Sequence, residues 1–84
     1  EVVLLAERSD IAEEVVRFHS HNAQFVAALD KGGEVGRRLN FLLQEQNREA
    51  NTISSKASEA QIVHLAVEIK EEVERLREQV QNLA

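Results

Sequence analysis

The 84 residues leave room for one thin domain, since a chain this short buries only about 60% of the surface its unfolded form exposes. There is no Cys, Pro, Met, Trp or Tyr and only three Phe, which excludes disulfides and thiolate metal sites and leaves a composition rich in helix formers. The net charge of −5 argues against a general affinity for nucleic acid, yet residues 32–57 carry four bases against three acids, while the flanking thirds each carry three against six. It is the placement of charge, more than the total, that steers an anionic ligand. No apolar run approaches the roughly 18 residues a membrane span needs, and no signal peptide is visible. The chain begins at Glu1 without an initiator Met, which we read as a piece of a longer protein.

The pattern predicts an all-α fold: a three-helix antiparallel bundle or helical hairpin with a long C-terminal helix, in a single domain over 1–84, with helices at about 1–30, 34–56 and 58–83. In the first segment Ile11, Val15, Phe18, Asn22, Phe25 and Leu29 alternate spacings of four and three, the mark of a seam facing a partner helix. Ser9 or Asp10 is a candidate N-cap with Glu13 behind it, so the segment is expected to break near Arg8-Ser9-Asp10. Val2-Val3-Leu4-Leu5 has no evident partner within the chain, and it calls for a second copy or a missing domain to cover it. Lys31-Gly32-Gly33 is the clearest stop signal.

The second segment puts Val35, Leu39, Leu42, Leu43, Ala50, Ile53 and Ala57 in one arc, which Gln46 interrupts. Asn51-Thr52 and Ser54-Ser55 are poor helix interiors, where fraying or a bend is expected. In the third, Ser58 is a plausible N-cap, and Ile62, Ala66, Ile69, Val73, Leu76, Val80 and Leu83 keep a strict heptad seam. Short turns make neighbours antiparallel.

The chemistry-bearing residues gather on the second segment. Arg38, Phe41, Glu45, Glu49, Thr52 and Lys56 share one row of the wheel, and Arg37, Gln44, Arg48, Asn51 and Ser55 the next. Glu45 and Glu49 are i, i+4 neighbours whose mutual repulsion a divalent cation would relieve. The basic and amide groups beside them suit phosphates. The alternative is a solvated face in which Glu45 pairs with Arg48, and Glu49 with Lys56 or Arg48. On the first segment Asp10, Glu14, Arg17 and His21 form a stripe; a His there can act as general acid or base, or the stripe is surface with an ordinary Glu14–Arg17 pair. His19 and His21 lie on different faces and cannot share a metal. His64, with Glu68 at helical spacing, reads as surface or interface. No glycine-rich phosphate loop or nucleophile elbow is present.

The stretch Gly36-Arg37-Arg38-Leu39-Asn40-Phe41-Leu42-Leu43-Gln44-Glu45, with Asn47-Arg48-Glu49-Ala50-Asn51-Thr52 and Ser55-Lys56, resembles the C-terminal signature of the YicC/YloC family. So do Arg8-Ser9-Asp10-Ile11-Ala12-Glu13-Glu14 with His21, and the closing Arg77-Glu78-Gln79-Val80-Gln81-Asn82. The similarity covers essentially the whole chain. It departs at Asn40, where the family usually has Asp, and at Gln46, where it has an apolar residue. The latter is expected to weaken packing unless it faces a partner chain.

The resemblance implies a cytoplasmic endoribonuclease that cuts RNA phosphodiester bonds, depends on a divalent metal (Mn or Mg) and forms homo-oligomers, with hexamers in view. It also implies a larger N-terminal domain beyond this chain and no membrane. Carried onto this sequence, Glu45, Glu49 and His21 would be catalytic, and Arg37, Gln44, Arg48, Asn51 and Lys56 would bind RNA. Glu45 and Glu49 would hold the metal, with Asp10 and Glu14 as further ligands. The isolated piece is expected to be inactive. The competing reading is a non-catalytic helical oligomerisation or docking module, which would have no need of amides and unlike charges on one helix face.

Overall fold

The computed structural model describes the backbone of residues 2–83 and the side chains of 11–82. Three helices follow one another, α1 (Val2–Lys31), α2 (Gly36–Lys56) and α3 (Ala60–Leu83), with no strand among the described residues. The all-α expectation holds. The boundaries move a little, for local reasons. α1 runs without interruption past Arg8-Ser9-Asp10, so the expected break there is absent. It ends where Gly32 and Gly33 take φ of +71° and +77°, a backbone that side chains with a Cβ disfavour. The Gly32 amide caps the Ala28 carbonyl at 3.2 Å, as a left-handed C-terminal cap does.

α2 starts two residues later than the expected Glu34, with Val35 at its N-cap and no side-chain cap bond. α3 likewise starts beyond Ser58: the Glu59 carbonyl takes the Ile62 and Val63 amides, each at 3.1 Å, which replaces the Ser58 cap. The serine- and threonine-rich end of α2 neither frays nor bends out of the helix. Thr52 Oγ1 donates to the Arg48 carbonyl at 2.9 Å, and Ser55 Oγ to the Thr52 carbonyl at 3.1 Å, so the hydroxyls bond back along their own helix.

α2 is the central helix. α1 and α3 each pack on it, and no Cα pair of α1 and α3 comes within 8 Å among the described residues. The molecule is accordingly long and flat, 49 × 19 × 14 Å. Leu39, Leu42, Leu43 and Ala50 of the predicted arc are buried. Leu39 and Leu43 join Val73 and Val80 of α3 in a cluster against which Phe18, Phe25, Ala28 and Val35 pack. On α3 only alternate seam residues, seven positions apart, are enclosed, namely Ala66, Val73 and Val80, while Ile69 and Leu76 stay about 40% exposed. On α1, Val15 and Leu29 are about half exposed. Val15 and Ile69 border a groove that α1 and α3 leave open, because three helices in a flat arrangement cover one side of α2 only in part. Leu83 and the Val2-Val3-Leu4-Leu5 cluster lie outside the described side chains.

Gln46 behaves differently from its expectation. It is buried at 3% exposure, faces α1 rather than a partner chain, and donates from Nε2 to the Phe18 carbonyl at 3.3 Å. The amide thus fills a core position with its polar end attached to helix backbone.

Candidate functional site: a buried carboxylate on an imidazole

His21 of α1 and Glu49 of α2 meet across the helix pair. His21 Nδ1 donates to Glu49 Oε1 at 3.0 Å, and Oε2 lies 2.8 Å from the same nitrogen. The Glu49 side chain has no exposure at all, and that of His21 has 20%. A carboxylate only accepts, so the shared proton belongs to Nδ1, which in the neutral form of the ring leaves Nε2 as the acceptor. The carboxylate thereby sets both the tautomer and the orientation of the ring, the role it plays in hydrolytic triads.

Arg48 links this pair to Glu45. Its Nε is 3.3 Å from Glu45 Oε2 and its Nη2 is 3.8 Å from Glu49 Oε2. One guanidinium therefore answers the two carboxylates that the i, i+4 spacing brings side by side. The Arg48 side chain is half exposed and that of Glu45 one-third exposed, so both can meet a ligand from solvent. The sequence alternative of Glu45 with Arg48, and of Glu49 with Arg48, is thus present, but Glu49 is no solvated surface group.

The remaining candidates spread around this centre. Glu14 is buried at 6%. Its Oε1 takes Arg17 at 3.2 Å, and its Oε2 is enclosed without a hydrogen-bond partner. The Asp10 side chain lies outside the described residues. Arg37 and Gln44 are exposed on the outer face of α2. Asn51 turns to α3, where Lys70 donates to its Oδ1 at 3.3 Å. Lys56 is exposed at the helix end. His64 pairs with Glu68 at 2.9 Å on an exposed surface, as its spacing indicated.

A divalent ion fits Glu45 and Glu49 unequally. Glu49 spends its carboxylate on His21 inside the helix pair. No group of three or more His, Asp or Glu suited to a metal forms among the described residues. Glu45 is the accessible carboxylate of the two, and ions such as Mg²⁺ accept one carboxylate completed by water and substrate phosphates.

Sequence reasoning did not single out the neighbouring group of Arg38, Gln24 and Phe41. Arg38 Nη2 donates to Gln24 Oε1 of α1 at 2.6 Å, and its guanidinium lies 5.9 Å from the centroid of the Phe41 ring. The signal was Phe41 itself, an aromatic residue in an otherwise polar row.

The opposite side of α2 carries a groove of about 450 Å³ lined by Ile11, Val15, Phe18, Ile53, Leu65 and Ile69 among others. Among the described residues no helix is long and apolar enough to cross a membrane.

Comparison with known proteins agrees with the resemblance. The family described as "Endoribonuclease YicC-like, C-terminal" matches residues 1–84. The chain is 49% identical over 83 residues to the "Probable endoribonuclease YicC" of Clostridioides difficile, covering 99% of this chain and 28% of that protein. It is 51% identical over 83 residues to the protein of the same name from Haemophilus influenzae, covering 99% and 29%. The chain therefore spans less than a third of the length of these relatives.

Proposed function

We propose that this chain, which belongs to the family of YicC-like endoribonuclease C-terminal domains, supplies the proton-transfer centre of an RNA-cleaving enzyme. The observation that carries the reading is the fully buried Glu49 carboxylate on Nδ1 of a part-exposed His21. His21 Nε2 takes the proton of the hydroxyl that attacks the phosphodiester, the new P–O bond forms as the bond to the leaving ribose oxygen breaks, and a proton returns to that oxygen. Glu49 positions the ring and stabilises the imidazolium that forms. Arg48, next to the pair, stabilises the charge that builds on the non-bridging oxygens, while Arg37, Gln44 and Lys56 hold flanking phosphates. Asn51, with its side chain turned to Lys70, lies at the margin of that surface. Glu45 would hold the divalent ion, which when bound supplies charge neutralisation at the phosphate.

The test is RNA cleavage by the full-length protein. Glu49→Gln keeps a hydrogen-bonding group of the same size but lets either imidazole tautomer form. The expected outcome is a fall in kcat of at least about 100-fold, the ordinary scale of general acid–base catalysis, with a normal thermal melt. His21→Ala should fall as far. Cleavage at the wild-type rate by a folded Glu49→Gln protein sinks the reading.

The apolar groove favours a second role beside the first, docking of another copy of the chain. A homo-oligomer would bring several such centres to one RNA.

A further inference from the structure

Among the exposed large apolar residues, Phe41 has a setting of its own. It is 49% exposed, yet it is not part of an apolar patch. Its helical neighbours at three and four residues are Arg37, Arg38, Gln44 and Glu45, all polar. Val15, Leu65 and Ile69, by contrast, border the groove on the other side of α2. An aromatic ring awaiting a protein partner is expected among other apolar side chains. A lone ring among cations fits a different ligand, one with a flat π-face and an anionic backbone.

We propose that Phe41 and Arg38 form a stacking platform for an unpaired RNA base, so that the substrate recognised is single-stranded. This rests on the reading of the chain as part of a ribonuclease. The geometry is suited to it. Arg38 is fixed by its 2.6 Å bond to Gln24 of α1 and covers one side of the Phe41 ring at 5.9 Å, a cation–π arrangement. The exposed remainder of the ring is open to a base, and guanidinium planes stack on bases as well. Phe41 and Arg48 are seven residues apart on one face of α2, about 10 Å along the axis. A base on the platform therefore holds a phosphate one or two nucleotides away near Arg48 and the His21–Glu49 pair. A base inside a duplex hides both faces in the stack and cannot use the platform.

The experiment measures equilibrium binding of full-length protein carrying His21→Ala, which removes turnover, to a single-stranded RNA oligonucleotide containing 2-aminopurine. Phe41→Leu in that background retains bulk and helix propensity but loses the π-face. The expected result is a Kd weakened by about 5- to 150-fold, the affinity equivalent of one stacked base, with loss of 2-aminopurine quenching. Phe41→Trp should restore both, and a duplex of the same sequence should bind wild type and variant alike. Unchanged single-strand affinity and quenching in a folded Phe41→Leu protein overturns the proposal. So does a change in oligomeric state with RNA affinity intact, which would make Phe41 a protein contact. The RNA is inspected for cuts after each titration: cut RNA in the His21→Ala background marks failure of the cleavage mechanism, and binding is then read on a nuclease-resistant 2′-O-methyl phosphorothioate RNA of the same sequence, so that failure of the platform registers separately.

Discussion

His21 and Glu49 show how much one carboxylate can impose on its surroundings. With His21 removed, Glu49 stays enclosed, and its nearest cation is Arg48 at 3.8 Å. An enclosed acceptor that loses its partner costs about 1–3 kcal/mol, so His21→Ala is expected to lower the melting temperature where Glu49→Gln does not. This makes Glu49→Gln the cleaner probe of chemistry. Glu45 invites a different measurement. Metal at about 100 times its dissociation constant stabilises a folded protein by roughly 2.7 kcal/mol. Thermal melts of the RNA-bound protein with Mn²⁺ and with chelator should show that stabilisation in wild type. Glu45→Gln should lose it while leaving helicity unchanged, since Gln is nearly as good a helix former as Glu. An equal metal response in both proteins would remove Glu45 from the metal site.

At the scale of elements, Gln46 tests what a polar residue in an apolar arc contributes. The Phe18 carbonyl that it meets at 3.3 Å already sits inside a helix, where the backbone supplies its own donor. Losing the amide therefore leaves no orphan, and apolar replacement of such a pair is near neutral or stabilising. Gln46→Met is expected to raise stability by up to about 1 kcal/mol in a chemical or thermal melt, and a clear loss would show that the amide bond matters more than its length indicates. The helices themselves were legible in the sequence because four-three spacing and Gly32-Gly33 act locally. α2 and α3 start two residues beyond Glu34 and Ser58: no side chain caps α2, and at α3 the Glu59 carbonyl takes the Ile62 amide. The candidate centre was half legible. The spacing put Glu45, Arg48 and Glu49 on one face, but which of them turns inward depends on how α1 lies across α2. Only that packing brings His21 to Glu49 and hides Glu49 from solvent, as the packing of α3 on α2 brings Lys70 to Asn51. Phe41 was visible in its row, but its setting rests on Arg38, which lies over the ring and is held from α1 by Gln24.

The whole molecule has two unlike sides. The outer face of α2 carries charge, amides and one aromatic ring, while the gap between α1 and α3 carries aliphatic side chains. The flat shape causes this, since among the described residues the α1 and α3 backbones each lie close to α2 and stay apart from each other. Such a gap is rarely left bare on a soluble protein. The groove takes its walls from both outer helices, Ile11 and Val15 of α1 and Ile62, Leu65 and Ile69 of α3. Leu65 and Ile69 on the α3 wall are 56% and 41% exposed. The same apolar groove on a second copy allows isologous pairing about a two-fold axis, and such a pair leaves the polar faces of both copies outward. Sedimentation of the full-length protein at micromolar concentration is expected to show an oligomer. Leu65→Lys combined with Ile69→Glu should dissociate it without loss of helicity, because both positions are exposed in the single chain and surface changes of this kind shift stability by about 0.5 kcal/mol or less. A wild-type protein that sediments as a well-folded monomer, or a double variant that keeps the wild-type mass, would show that the groove is not the contact between copies.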